Sequence, residues 1–118
     1  MTVLVVDDQE NMCWILSKIL SGAGFSVKTA NTAKEARVIA DKGGISAAII
    51  DFRLPDGNGL DLFLELRSQD INIPCVLITS YGSSELREKA LKLGFYTYFD
   101  KPIDNHILIA AFKEVLEH

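Results

Sequence analysis

Five short apolar runs, Val3–Val6, Phe25–Thr29, Ala47–Ile50, Cys75–Thr79 and Thr97–Phe99, alternate along this chain with stretches of helical periodicity. Short β-branched runs of this kind read as strands buried in a parallel sheet. Parallel neighbours need a crossover of a dozen or more residues, usually a helix, and the alternation supplies one between each pair. The pattern predicts an α/β domain, a five-stranded parallel sheet wrapped by five helices. Right-handed crossovers make it doubly wound. Two strand orders are common for such sheets, and the alternation does not choose between them. Pro74 suits the first position of a strand, where a missing N–H costs little.

The helical stretches carry their own punctuation. The first runs from about Glu10 to Ser21, with Ile15, Leu16, Ile19 and Leu20 on one face, and is ended by Gly22 and Gly24. The second opens at Asn31 or Thr32, both good N-caps, and carries Ala33, Ala36, Val38 and Ile39 before Gly43-Gly44. The third follows Gly59 through Leu62, Phe63 and Leu66, and the fourth runs from Ser83-Ser84 through Leu86, Ala90 and Leu93 to Gly94. The last begins at Asp104 and buries some of Ile107, Leu108, Ala111 and Val115. Core packing accounts for all these apolar residues.

No repeat, low-complexity tract or Pro/Gly-rich linker divides the sequence, so residues 1–118 read as one domain. No apolar stretch approaches the ~20 residues of a membrane span, and no basic-then-apolar leader opens the chain. A net charge of −4 argues against a nucleic-acid surface. Cys13 and Cys75 each sit in an apolar segment without a CxxC partner, which suits buried thiols in a reducing compartment, the cytoplasm. His106 and His118 lack metal-ligand spacing. The ending Leu116-Glu117-His118 resembles an expression-tag junction, in which case residues 116–118 are not native; a native ending is the alternative.

Chemistry gathers where the runs stop. Asp7 and Asp8 follow the first, Asp51 the third, Thr79 ends the fourth and Lys101 follows the fifth. Ligands of open α/β sheets bind at the carboxyl ends of the strands, so these residues can converge. Taken singly each has a plain structural use: an Asp after a strand is often a helix cap. Jointly they describe a site. Three carboxylates repel unless a cation joins them, and Mg²⁺ favours one or two carboxylates, waters and a phosphate. Asp51 is then a nucleophile for phosphorus, with Lys101 and the Thr79 hydroxyl placed to compensate charge on phosphoryl oxygens.

This set resembles the receiver domain of two-component response regulators. The resemblance rests on Asp7-Asp8, on Asp51 with Pro55 and Gly59 four and eight residues on, on Thr79, on Tyr98 and on Lys101-Pro102, and it covers essentially the whole chain. It implies a flavodoxin-like fold of strand order 2-1-3-4-5. It also implies that Asp51 accepts a phosphoryl group from a sensor histidine kinase or phosphotransfer protein. Mg²⁺ would be held by Asp7, Asp8, Asp51 and the backbone carbonyl of Arg53. Thr79 and Lys101 would contact the phosphoryl oxygens, and the Lys101-Pro102 bond would be cis. The helix Glu10–Ser21 would be the kinase docking surface, with Trp14 either a contact there or a packing residue.

On phosphorylation Thr79 is expected to move toward the phosphoryl group and Tyr98 into the vacated space, remodelling the surface of the fourth helix, fifth strand and fifth helix, with phosphorylation-dependent homodimerisation as one outcome. A charge-assisted hydrogen bond supplies roughly 1.5–3 kcal/mol, against about 5.5 kcal/mol for a full two-state conversion. The expectation is a graded shift, with Thr79→Ala still phosphorylated but weakened in output. Arg53 and Tyr81 flank the path of the hydrolytic water in such domains, where they either shield the acyl phosphate or act only as surface side chains. Rival readings fit less well. An aspartyl phosphatase wants an acid where Arg53 stands, and a flavodoxin wants a Ser/Thr-rich phosphate loop where Asp7-Asp8 stand. A phosphorylation-independent interaction module normally lacks one of the key residues.

Overall fold

The computed structural model describes residues 1–117; His118, with its part in the chain ending, lies outside them. In chain order the elements are β1 (Thr2–Val6), α1 (Glu10–Gly22), β2 (Ser26–Ala30), α2 (Ala33–Asp41), β3 (Ala47–Asp51), β4 (Arg53–Leu54), β5 (Gly57–Asn58), α3 (Gly59–Ser68), β6 (Cys75–Thr79), α4 (Ser84–Leu93), β7 (Thr97–Asp100) and α5 (Asn105–Leu116). The main sheet is parallel with order β2-β1-β3-β6-β7. Counting only its own strands this is 2-1-3-4-5. The two-residue pair β4–β5 is a small antiparallel hairpin outside it, not foreseen from the sequence.

The period of two along each strand sorts the core onto two faces. Val3, Val5, Ala47, Ile49, Val76 and Ile78 pack with α1 and α5 through Leu16, Leu20, Leu108 and Phe112. Leu4, Val6, Ala48, Ile50 and Leu77 pack against α2, α3 and α4 through Ala36, Phe63, Leu66 and Ala90. Helices on both faces leave β1, β3 and β6 wholly or almost wholly buried. β2 departs from the expectation of burial on both faces: it is an edge strand, and Ser26, Lys28 and Thr29 are exposed.

Three helix faces also differ from the periodicity reading. Ile15 is 44% exposed, because the buried stripe of α1 runs through Cys13, Leu16 and Leu20. Val38 is exposed, and Ala33, Ala36 and Ala40 form the close-packed side of α2. In α5 the fully buried Phe112, absent from the expected face, meets Phe25 edge-on with ring centroids 6.5 Å apart. The caps follow the local chemistry. Thr32, not Asn31, caps α2 by accepting the Glu35 N–H; Ser83 caps α4 and Asp104 caps α5. Gly94 closes α4 at φ +121°, a conformation that side chains disfavour. Among the described residues no helix is long and apolar enough to cross a membrane.

Candidate functional site at the carboxyl edge of the sheet

Strand register sets the site. Val6 pairs with Ile50, so Asp7 and Asp51, the next residues, stand side by side at the top of β1 and β3. Asp51 pairs with Ile78, which leaves Thr79 one step higher on β6. The Lys101 N–H donates to the Thr79 carbonyl at 2.8 Å, seating Lys101 just above the end of β7. The Lys101-Pro102 peptide bond is cis. Carboxylate oxygens of Asp7, Asp8 and Asp51 lie within 4.8 Å of one another. Asp7 is wholly buried, Asp51 nearly so, and Asp8 is exposed.

Lys101 joins the walls. Its ammonium donates to Asp7 Oδ2 at 2.7 Å and to Asp51 Oδ2 at 3.1 Å. The other Asp7 oxygen accepts the Gln9 N–H at 2.9 Å, and Asp51 Oδ1 accepts the Arg53 N–H at 3.3 Å. Burial, and then the charge of Asp7, raise the Asp51 carboxyl above the ordinary aspartate range against the lowering by Lys101. Burial would lower the Lys101 ammonium, but its bonds and charge interactions with Asp7 and Asp51 outweigh that and raise it. The pocket is thus anionic and short of positive charge. Three hard oxygen donors at this spacing suit a divalent cation such as Mg²⁺.

A cleft of about 160 Å³ opens over Asp51, lined also by Asp8, Gln9, Arg53, Thr79, Tyr81 and Lys101. Thr79 Oγ1 accepts the Tyr81 N–H at 3.1 Å, leaving its own O–H to donate to a ligand. The Arg53 guanidinium lies 4.5 Å from the centroid of the Tyr81 ring, so the two side chains meet at the rim. Tyr98 is buried, and its hydroxyl donates to Asp100 Oδ1 at 2.8 Å against Gly82. Trp14 is 64% exposed on α1, which excludes the packing alternative. Both thiols are buried, and burial pushes Cys13 up to about 11 and Cys75 up to about 12.

Sequence reasoning overlooked three contributors. Asn31 donates to the Asp7 carbonyl at 2.9 Å. Asp56 accepts the N–H groups of Ala33 and Lys34 at 2.8 and 3.0 Å. Gly82 lies where a Cβ would fall 1.6 Å from the Tyr98 hydroxyl. Gly82 carried a signal, as a glycine shortly after a strand end, and Asn31 carried one only as a candidate helix cap.

Residues 3–113 match the family model described as the response regulator receiver domain. The chain is 32% identical over 117 residues to the transcriptional regulatory protein FixJ of Rhizobium meliloti, covering 99% of this chain and 57% of that protein. It is 35% identical over 113 residues to the photosynthetic apparatus regulatory protein RegA of Cereibacter sphaeroides, covering 92% and 61%. It therefore spans little more than half the length of these two relatives. Among solved structures, the receiver domain of the Francisella response regulator 1452 superposes with a TM-score of 0.91 at 27% identity, covering 97% of this chain and 94% of that one.

Proposed function

Since the chain belongs to the response regulator receiver domain family of two-component signalling, we propose that Asp51 is its phosphoacceptor and that Mg²⁺ assists the transfer. One observation carries the reading most: the Lys101 ammonium already bridges Asp7 and Asp51 inside a three-carboxylate pocket. Phosphoryl transfer depends chiefly on positioning and charge compensation, and these residues supply both.

Asp7, Asp8, Asp51 and the Arg53 carbonyl would hold the cation, which when bound would offset the negative charge shared between the carboxylates and the incoming phosphoryl oxygens. Asp51 attacks phosphorus with one carboxylate oxygen, and the bond to the donor's nitrogen breaks. Lys101 then faces the phosphoryl oxygens with its positive charge, and Thr79 donates its hydroxyl to one of them. The donor is a sensor histidine kinase or phosphotransfer protein, docked over α1 with Trp14 in contact. The domain acts as a signalling element in the cytoplasm, through the surface of α4, β7 and α5, where phosphorylation favours homodimerisation.

Incubation with acetyl phosphate and Mg²⁺, followed by intact mass, tests this. A gain of one phosphate group is expected in wild type and not in Asp51→Asn. Equal labelling of both would overturn the assignment, and no labelling of wild type would favour an interaction module that works without phosphate.

A further inference from the structure

The two walls of the acidic pocket come from different parts of the chain. Asp7 follows β1, whereas Asp51 ends β3 and leads into the loop carrying Arg53. Like charges within 4.8 Å push such walls apart, so something must hold them. Lys101 does so at the carboxylates, but its bonds are to the same groups that would bind a cation. A second tie, made away from the carboxylates, is present behind them.

That tie is the turn between β2 and α2. At its start, Asn31 Nδ2 donates to the Asp7 carbonyl at 2.9 Å, while the Asp7 N–H donates to the Ala30 carbonyl at 3.0 Å. Both peptide groups flanking the Asp7 side chain are thereby fixed. Two residues beyond Asn31, the N–H groups of Ala33 and Lys34 are both taken by the Asp56 carboxylate, from the β4–β5 hairpin. These bonds favour the charged form and hold Asp56 below the ordinary aspartate range, the Ala33 N–H contributing most. The hairpin that Asp56 anchors also carries Arg53, whose N–H meets Asp51 Oδ1.

We propose that residues 31–34 form a brace across the cation site, with Asn31 and Asp56 as positioning residues that set the separation of its two walls. The inference rests on the metal reading given above and adds to it the device that keeps the pocket in shape. Mg²⁺ tolerates little departure from octahedral geometry, so slack in either wall weakens its binding. Groups that orient ligands from behind typically matter by 10–100-fold in metal affinity.

Calorimetric titration of the purified domain with Mg²⁺ tests the brace without any phosphodonor. Asn31→Ala and Asp56→Ala should each raise the Kd about tenfold. The double variant should lose little more than either single change, because either one releases the same strap. Asp56→Asn, which keeps one accepting oxygen, should recover part of the affinity. In metal-free protein, amide exchange should quicken at Gln9 and Arg53 but not in β6. Unchanged affinity in the single variants, or losses that multiply in the double, would overturn the brace. If wild type takes up no Mg²⁺, the metal reading fails, and exchange at Gln9 and Arg53 still decides whether Asn31 and Asp56 fix the walls.

Discussion

The Lys101 ammonium lies closer to Asp7 than to Asp51, the proposed phosphoacceptor, 2.7 against 3.1 Å. In this position it offsets part of the pocket's negative charge and competes with any cation for the Asp7 oxygen. Two unit charges at 4 Å attract with about 4 kcal/mol at an effective dielectric of 20, which a metal must partly offset. Lys101→Met should therefore bind Mg²⁺ more tightly than wild type, by at least about threefold (1.4 kcal/mol is tenfold), while accepting phosphate more slowly. Titration calorimetry showing equal or weaker binding would mean that the lysine and the metal do not compete.

The raised Asp51 carboxyl gives a stability prediction whose sign runs opposite to the usual aspartate. Its folded pKa lies above the unfolded value, so the unfolded state ionises first as pH rises. Stability present below the unfolded pKa of about 3.9 is lost as pH rises through the folded value. Asp51→Asn mimics the neutral form and should be the more stable protein at pH 7 in EDTA. The advantage should vanish near pH 3.5. Urea denaturation at both pH values measures it, and a destabilised variant at pH 7 would show that the Lys101 bond outweighs burial.

Arg53 and Tyr81 meet at the rim of the cleft over Asp51. A cation–π contact at an exposed site contributes about 0.5–1 kcal/mol. If this pair shields an acyl phosphate from water, Tyr81→Ala should speed dephosphorylation about two- to fivefold, the rate equivalent of that energy. The measurement is decay of the phosphorylated form by intact mass after removal of the donor. An unchanged rate would leave the pair as surface side chains only.

How much of this was readable beforehand follows from what each residue depends on. The sheet and its helices were legible because hydrophobic period and cap chemistry are local, as with Ser83 and Asp104. Asp7, Asp51, Thr79 and Lys101 were legible because parallel strands bring their ends together whatever the strand order. Ile15 was misplaced because a stripe two residues wide in sequence leaves its rotation undecided, and the small Cys13 took the inward side. The bonds of Asn31 to Asp7 and of Asp56 to the start of α2 escaped notice because their partners lie more than twenty residues away, and only the folded chain brings them together.

Gly82 ties the loop after Thr79 to Tyr98. A Cβ there would lie 1.6 Å from the Tyr98 hydroxyl and 2.1 Å from Asp100 Oδ1, so the buried ring and a side chain at position 82 exclude each other. Burial first, then the bond to Asp100, pushes the Tyr98 hydroxyl up to about 12. Both burial and the raised value protect it from tetranitromethane, which attacks accessible tyrosinate. Gly82→Ala should expel the ring, and overpacking of this kind costs about 1–3 kcal/mol where neighbours cannot yield. Peptide mapping should find Tyr81 nitrated in both proteins and Tyr98 nitrated only in the variant. If Tyr98 stays protected while the melting temperature falls, the loop has moved and the ring has kept its place. In that case the ring's seat is held by Asp100 and the surrounding core, and Gly82 sets only the path of the loop above it.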